Sequence, residues 1–439
     1  MGKQLRRRSL DAVIIGGGLT GFLLGAALAD AGMQAAVLSL QGRTASPITE
    51  AATLLCPPML ARIQSAYGPD TARTHIQALQ EQLRALTAFP LPYVQPLSAY
   101  AFTQTEAEAT ALTQQRDFLS GMLLPVSSAP DAGACPFPVT SALSLAGQAT
   151  VNLPMWIDAL RVSIRRLGGM IYDDVRLLSL NGMEIQTAQG RFEAPRIILA
   201  TDKPLGLHSR RLLALLESRV CLHAKLTASW PMSGLHIASD GGCRLLPAPD
   251  GAWALWDAGR VGSRQLAHQH RRFQDYLSSR MPDWQHDGIQ HTVQTFSTDG
   301  LPFIGTLPGT QYLFACGYGG CPVLGAMHAA DVLTRRLTGR LRPEDRLYAP
   351  DRAIPGMLVK RSVRRNVFRY GTGMLRLNAP ACAHCGCRMR YFPPGQSWGC
   401  PWCGSEFSFI GQPVSGPAIH SAGVSIGHFR PDRERRSPF

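Results

Sequence analysis

The first apolar stretch of the chain has the pattern of a strand, a turn and a helix. Three β-branched residues, Val13–Ile15, lead into a run of glycines, and an apolar segment from Phe22 to Ala31 then stops at Gly32. A second apolar run, Ala35–Leu40, follows directly. Continuous apolar runs of this length are typical of buried parallel strands, so the stretch predicts a β–α–β unit.

Two later segments have the spacing of amphipathic helices, with apolar side chains three or four residues apart. The second ends at Gly168 and is followed by a predicted strand, Ile171 to Leu178. The side chains expected to face the core are Ile76, Leu79, Leu83 and Leu86 in the first helix and Trp156, Leu160, Ile164 and Leu167 in the second.

A third region again alternates strand and helix. It predicts a strand at Gln311–Cys316, a glycine turn, and a helix from about Leu324 to Leu337 that ends before Gly339. Strands that alternate with helices favour an α/β fold with a mostly parallel sheet.

The glycines of the first unit have the spacing Gly16-x-Gly18-x-x-Gly21 between a strand and a helix. In this context the spacing indicates a dinucleotide site, because the glycines allow a tight turn and the helix N-terminus offers free N–H groups to phosphates. The end of the second strand usually carries a carboxylate that binds ribose, and here the residue is Ser39. Either NAD or FAD is compatible with this unit alone.

The third region resembles the C-terminal flavin-binding segment of the D-amino-acid oxidase superfamily, through Asp299-Gly300-Leu301-Pro302, Ile304-Gly305 and Gly317-x-Gly319-Gly320. The resemblance extends over about residues 11 to 352. Through the run from Pro136 to Pro154 it is to the subgroup that carries a C-terminal Rieske module, here shortened and degenerate. It implies FAD, held without a covalent link because the segment "HTVQTFST" before this loop has no cysteine. The positions that it assigns to the flavin are Gly16, Gly18, Leu19, Thr20, Gly21, Ser39, Thr49, Ala51, Val175, Ala200, Thr201, Gly317, Gly319 and Gly320.

The same resemblance implies oxidation of an amine or amino acid by hydride transfer to flavin N5, with oxygen or a diffusible electron acceptor as oxidant. Such chemistry depends more on positioning than on acid–base groups. Arg244 is the candidate to bind a substrate carboxylate, with a solvent-facing strand arginine as the alternative. Tyr318 is the second catalytic candidate, and simple packing in its turn is the alternative.

Five cysteines and a histidine lie between residues 382 and 403. Cys382-x-His384 and Cys400-x-x-Cys403 have the spacing of a Rieske [2Fe–2S] site, but a cysteine stands where the second histidine belongs. Cys382, Cys385, Cys400 and Cys403 also form two Cys-x-x-Cys pairs, which is the pattern of a closed zinc site. We expect zinc on these four cysteines, with an iron–sulfur cluster and no metal as the alternatives.

The chain is strongly basic, with 44 Lys and Arg residues against 30 Asp and Glu. Part of this charge lies in one segment that could attract nucleic acid, an acidic partner or a membrane surface, although a solvated linker is favoured. Scattered cysteines and the absence of a long apolar run favour a cytoplasmic protein without a membrane span, despite "RRRSL" near the N-terminus. The basic residues of the segment are Lys360, Arg361, Arg364, Arg365, Arg369 and Arg376.

These observations predict an α/β protein: a Rossmann-like FAD-binding domain, an α+β substrate domain with a mixed or antiparallel sheet, and a small cysteine-rich module of zinc-ribbon or Rieske-like type. A flavoprotein that uses the basic segment and the cysteine module to bind RNA or protein is the alternative of a different class. A Rieske-type electron-transferring dehydrogenase is a further alternative if the cysteine module holds [2Fe–2S]. The predicted boundaries are 1–60, 141–205 and 291–350 for the FAD-binding domain, 61–140 and 206–290 for the substrate domain, 351–379 for a basic linker, 380–420 for the module and 421–439 for a tail.

Overall fold

The fold is built from two large sheets, two small sheets and eight helices among the residues that the structure describes. The structure is a computed structural model, and it describes residues 10–40, 49–129, 135, 137–201, 203–205, 210–227, 232–248, 251–360, 364 and 379–424. Most of the basic segment, including Arg361, Arg365, Arg369 and Arg376, and most of the predicted tail lie outside these residues.

The strands are short in the first large sheet and longer in the second. In chain order they are β1 (Ala12–Ile15), β2 (Ala35–Leu40), β3 (Thr49–Ala52), β4 (Val94–Thr103), β5 (Val126–Ser128), β6 (Ser141–Asn152), β7 (Met170–Val175), β8 (Leu177–Asn181), β9 (Glu184–Thr187), β10 (Gly190–Glu193), β11 (Arg196–Leu199), β12 (Leu216–Thr227), β13 (Leu235–Ala238), β14 (Cys243–Ala248), β15 (Gly251–Arg260), β16 (Gln285–His286), β17 (Gln290–Ser297), β18 (Phe303–Thr306), β19 (Leu313–Cys316), β20 (Arg390–Phe392), β21 (Ser397–Gly399), β22 (Glu406–Ser408) and β23 (Pro413–Ser415).

The helices include all four that the sequence predicted. They are α1 (Leu19–Asp30), α2 (Pro57–Tyr67), α3 (Pro69–Thr87), α4 (Glu106–Ser120), α5 (Leu153–Arg166), α6 (Arg210–Leu215), α7 (Leu266–Arg280) and α8 (Pro322–Leu337).

The first large sheet has the order β18-β19-β11-β1-β2-β7. Strand β1 lies at its centre, parallel to β2 and β11, and β18 is antiparallel to β19. Helices α1, α5 and α8 pack together beside this sheet. The β–α–β unit and the third strand–helix region are therefore both confirmed, and they belong to the same sheet although almost 300 residues separate them.

The second large sheet has ten strands and is mixed, as the sequence predicted: β13 is parallel to β4 while the other pairs are antiparallel. Strand β6 pairs with β3 and β4, and β17 pairs with β12. Strands β3 and β6, and all of β17 but its first residue, lie within the segments 1–60, 141–205 and 291–350 that the sequence assigns to the FAD-binding domain, yet they pair in this second sheet. Long antiparallel strands pair along their whole length, and this register keeps β6 and β17 with the second sheet.

Two local expectations were wrong. Leu167 is not part of the buried stripe of α5, because the helix ends at Arg166 and Gly168 adopts a left-handed conformation, which leaves Leu167 38% exposed. The predicted strand from Ile171 to Leu178 is two strands, β7 and β8, in different sheets. The chain turns between them near Asp174, whose φ is 54°.

The cysteine module contains a four-stranded antiparallel sheet, β20-β21-β22-β23. Its core consists of nine buried residues, four of which are cysteines: Cys382, Cys387, Met389, Trp398, Cys400, Cys403, Phe407, Ala418 and Ala422. So small a core cannot supply much folding free energy on its own.

Candidate functional site

Two glycine turns line one large cavity of about 480 Å³. Gly16–Thr20, at the start of α1, form one part of its wall, and Tyr318–Gly320 with the start of α8 form another. One turn follows β1 and the other follows β19, and the sheet that contains both strands brings the two turns together. They are joined by a hydrogen bond from Thr20 Oγ1 to the Tyr318 hydroxyl, at 3.1 Å.

The three glycines of the first turn differ in the space that surrounds them. A Cβ on Gly16 would lie 2.1 Å from the Ala200 oxygen, and one on Gly21 would lie 1.8 Å from the Gly16 oxygen, so neither position accepts a side chain. A Cβ on Gly18 would meet no protein atom within 4 Å. Gly18 therefore leaves room for a ligand group to approach the backbone.

The N-termini of α1 and α8 both reach this cavity, because Leu19 and Thr20 line it together with Pro322 and Val323. Neither helix has a side-chain N-cap or an acidic residue in its first turn. Their N–H groups and dipoles are therefore available for a polar or anionic ligand, as a dinucleotide site requires.

Of the other residues predicted to bind the cofactor, Ala200 and Thr201 line the large cavity, whereas Ser39, Thr49, Ala51, Val175 and Gly317 are not among its lining residues. The Ser39 side chain lies against the backbone of Gly17. Val175 is 1% exposed within the core. Thr49 is half-buried, Ala51 is buried, and Gly317 has a φ of 82° at the start of the second turn.

A second, small cavity of about 130 Å³ adjoins the large one. The two share Gln294, Gly319 and Gly320 in their walls. Ala51 lines the small cavity, as do the rings of Trp256 and Phe296. A ligand in the large cavity would therefore lie next to a ligand in the small one.

Arg244, on β14, lines the small cavity and is not a solvent-facing arginine, since its side chain is 11% exposed. Its Nη1 atom lies 3.5 Å from Oε2 of Glu50, a carboxylate on β3 that lines the large cavity. Neither of these two atoms has a hydrogen-bond partner among the described residues. The pair thus lies between the two cavities with hydrogen-bonding capacity that the protein does not use.

Burial raises the pKa of Glu50, and the positive charge of Arg244 offsets only part of this effect. Gln294 Nε2 donates to the other carboxylate oxygen of Glu50, at 3.2 Å. Glu50 was missed by sequence reasoning. Its signal was a lone carboxylate in the otherwise apolar strand "EAATLL", which becomes meaningful only when β3 is seen to lie near β14.

Tyr318 lines the large cavity but is not among the residues that line the small one. Its hydroxyl is bonded to Thr20, and its ring packs against Gly325 of α8. These contacts give Tyr318 a role in joining the two glycine turns, which is closer to the packing alternative than to a catalytic position.

The cysteine module also reaches the large cavity, which the sequence did not indicate. Glu406, Val414 and Ser415 of the module line it together with His291 of β17. His291 Nε2 and Glu406 Oε1 are 2.7 Å apart. Burial opposes protonation of His291, but the hydrogen bond and charge of Glu406 outweigh it, so the pKa of His291 is raised.

The four predicted metal ligands meet at one point. The sulfur atoms of Cys382, Cys385, Cys400 and Cys403 all lie within 4.8 Å of one another. Cys382 and Cys403 are 3.6 Å apart at sulfur, and Cys385 and Cys400 are 3.5 Å apart. A disulfide would need about 2.05 Å, so these are four separate thiols that could hold one ion.

The two Cys-x-x-Cys segments have the same backbone geometry. In each, the amide of the glycine that follows the second cysteine donates to the carbonyl of the first: Gly386 to Cys382 at 2.9 Å and Gly404 to Cys400 at 3.1 Å. Both glycines have a φ of 73°. His384 is not part of the four-sulfur group.

A membrane-spanning helix was neither expected nor found: none within the described part of the chain is both long and apolar enough to cross a bilayer.

Comparison with known proteins supports the reading of the glycine turns. The family model described as "DAO: FAD dependent oxidoreductase" matches residues 11–336. A Bacillus subtilis protein, YhfW, whose name provisionally describes it as a Rieske 2Fe-2S iron–sulfur protein, is 23% identical over 93% of this chain and 92% of its own length.

Two solved structures have a similar fold. Glycine oxidase from Geobacillus kaustophilus is 20% identical, with a TM-score of 0.58 over 80% of this chain and 100% of that one. L-proline dehydrogenase from P. horikoshii is 11% identical, with a TM-score of 0.62 over 78% of this chain and 97% of that one. At these identities the likeness concerns the fold. The cysteine module lies beyond the end of the family match at residue 336.

Proposed function

Because the chain belongs to the family of FAD-dependent oxidoreductases, we propose that it oxidises an amine or amino acid bound in the small cavity, using non-covalent FAD in the large one. The observation that carries this proposal is the wall of Gln294, Gly319 and Gly320 shared by the two cavities. The two proteins with similar folds, a glycine oxidase and an L-proline dehydrogenase, support the same substrate class.

The residues of the chain would hold the cofactor at both ends. Gly18 and the N-terminus of α1 would bind the pyrophosphate, and the N-terminus of α8 would face the polar edge of the ring system. When bound, FAD supplies the acceptor for a hydride from the substrate carbon that bears nitrogen. Strand β17 carries no cysteine, which supports non-covalent attachment.

Arg244 would bind a substrate carboxylate while remaining next to Glu50. The guanidinium has five N–H donors, so contact with one carboxylate leaves donors for a second. Trp256 and Phe296 would pack against the rest of the substrate and exclude water from it. The reduced cofactor would then be reoxidised by oxygen or by a diffusible acceptor.

The non-covalent attachment is tested by acid precipitation of the purified protein. We expect a yellow supernatant, because no covalent bond holds the flavin to the chain. Flavin that stays in the pellet would contradict this. A colourless protein that does not take up added FAD would contradict the proposed cofactor site as a whole.

The oxidation is tested by adding a panel of amines and amino acids to the yellow protein without oxygen. We expect the flavin absorbance to bleach with at least one member of the panel, since the substrate would reduce the flavin. Inertness to the whole panel would instead favour a flavoprotein that serves as a binding module.

We further propose that Cys382, Cys385, Cys400 and Cys403 bind one Zn²⁺. A Zn–S bond of about 2.3 Å puts tetrahedral ligand sulfurs about 3.8 Å apart, which is close to the separations of 3.6 Å for Cys382–Cys403 and 3.5 Å for Cys385–Cys400. A two-iron cluster would divide the four sulfurs between two metal atoms and would require wider spacing between the pairs. The repeated Cys-x-x-Cys-Gly turn also supports a closed four-thiolate site.

Metal analysis of wild type and two variants tests the zinc site. We expect about one zinc per chain and little iron, with loss of the metal in Cys385→Ser and retention in His384→Ala. Two irons per chain with a visible cluster spectrum, and the opposite response of the two variants, would instead restore the Rieske-like interpretation with His384 as a ligand.

We also propose a reducing compartment, the cytoplasm, because none of the eleven cysteines is in a disulfide. Cell fractionation tests this, and recovery of the protein from an exported fraction would contradict it.

A further inference from the structure

The backbone of the cysteine module packs closely against the backbone of the preceding part of the chain. An added Cβ on Gly262, which follows β15, would lie 2.8 Å from the Pro401 nitrogen, and one on Gly399 would lie 2.7 Å from the Gly262 nitrogen. Phe392 of β20 is 4% exposed and belongs to the core of the second large sheet. Backbone-to-backbone contact of this kind fixes the position of the module against that sheet.

A second contact joins the module to the first large sheet. Lys203 follows β11, just beyond Thr201 of the large cavity, and is 1% exposed. Its Nζ atom donates to the backbone oxygen of Cys403, at 2.8 Å. A metal ligand and the edge of the large cavity are thus joined through one buried side chain.

The third contact lies in the cavity itself. Glu406 is 3% exposed, accepts a hydrogen bond from Ser397 within the module at 2.7 Å, and is paired with His291 of β17. Glu406, Val414 and Ser415 form part of the cavity wall. Since Glu406 is only three residues from Cys403, the fold of the four-cysteine site determines the position of this part of the cavity wall.

From these contacts we propose that the metal bound by the four cysteines controls how tightly the chain retains its flavin, because the module that this metal folds is a wall of the flavin cavity. The proposal rests on the proposed function for both ligands. A small module with few buried residues depends on its metal for folding. Loss of the metal would therefore open the large cavity on the side of Glu406 and His291.

The experiment measures flavin and metal in the same samples. Holoprotein is treated with a chelator, and the dissociation constant of FAD is measured by fluorescence after ultrafiltration. We expect it to rise by roughly 5- to 150-fold on removal of the metal, the usual range for coupling between two sites. Because coupling is reciprocal, saturating FAD should tighten metal binding, so that a higher chelator concentration is needed to remove half of the metal from FAD-saturated protein than from FAD-depleted protein.

Three variants distinguish the effect of the cavity wall on FAD binding from the effect of the metal. Cys385→Ser should lose both metal and flavin affinity, whereas Cys387→Ala, a buried cysteine outside the four-sulfur group, should keep both. Glu406→Gln should keep the metal and still bind FAD more weakly, because it changes the wall without changing the ligands.

Several outcomes would overturn the inference. If metal-free protein binds FAD with a dissociation constant within about twofold of the holoprotein, the metal does not control the cavity. If Cys385→Ser fails to fold, the reciprocal measurement on wild type decides, and an equal chelator requirement with and without FAD overturns the proposal. A protein that binds no FAD even with its metal intact would instead overturn the proposed function itself.

Discussion

Two buried arginine–carboxylate pairs in this protein have opposite geometries. Arg352 binds Asp299 through Nε and Nη2, both at 2.9 Å, with side chains only 6% and 0% exposed. Asp299 also accepts from the Tyr67 hydroxyl, and Arg352 also donates to the carbonyls of Leu301 and Pro302. The pair Arg244–Glu50 has a single 3.5 Å approach and leaves one atom of each partner without a hydrogen bond in the described chain.

This difference indicates that Arg352–Asp299 is a structural pair and that Arg244–Glu50 is a candidate binding pair. Arg352 and Asp299 satisfy each other and their neighbours, so the pair holds the loop before β18 in place. A buried polar atom without a partner is costly and needs an explanation, which for Arg244 and Glu50 is their position between two cavities where a ligand would supply the missing contact. The same residue types therefore serve stability in one place and binding in the other.

The largest effect should come from the structural pair. Arg352→Ala should lower the free energy of unfolding by about 3–5 kcal/mol, because it leaves the Asp299 carboxylate buried without its partner. Chemical denaturation measures this. Arg116→Ala is the control, since Arg116 and Asp117 form an exposed pair that contributes only about 0–1 kcal/mol. A decrease in the free energy of unfolding of less than about 1 kcal/mol for Arg352→Ala would contradict the structural role of the Arg352–Asp299 pair.

The second prediction concerns binding. Arg244→Lys should reduce kcat/KM for a carboxylated substrate by about 1–3 kcal/mol of transition-state binding, because lysine keeps the charge but loses the bidentate geometry. The matched control is the same variant with the corresponding amine that lacks the carboxylate, for which kcat/KM should change little. Equal losses with both substrates would mean that Arg244 supports the cavity and does not bind the carboxylate.

The smallest effect concerns pH. Because burial raises the pKa of Glu50, the folded chain retains a proton that the unfolded chain has released once the pH exceeds about 4.5. The contribution of Glu50 to stability therefore decreases as the pH rises from there through its folded pKa. Glu50→Gln cannot lose this proton, so the free energy of unfolding of wild type minus that of the variant should decrease across this window. A difference that increases with pH would show that Arg244 lowers the pKa of Glu50 below its usual value.

Sequence alone was sufficient for features that depend on local backbone geometry or on fixed spacing. The turn at Gly16–Gly21 was predictable because no side chain fits at Gly16 or Gly21. The four-cysteine group was predictable because two Cys-x-x-Cys pairs each form the same short turn. The buried face of α3 was predictable from the period of its apolar residues. The end of α5, one residue earlier than expected, was not predictable in this way, because it depends on the cap at the helix C-terminus and not on the apolar period.

Only the tertiary structure decided what lies between these features. The partners in the pair of Glu50 with Arg244 and in that of His291 with Glu406 are more than 100 residues apart in sequence, and no periodicity links them. The cavities, and the position of the cysteine module in the wall of one of them, result from the packing of whole sheets against one another. Such packing sums many long-range contacts, so a single sequence read locally identifies the glycines and the cysteines but not the surface that they share.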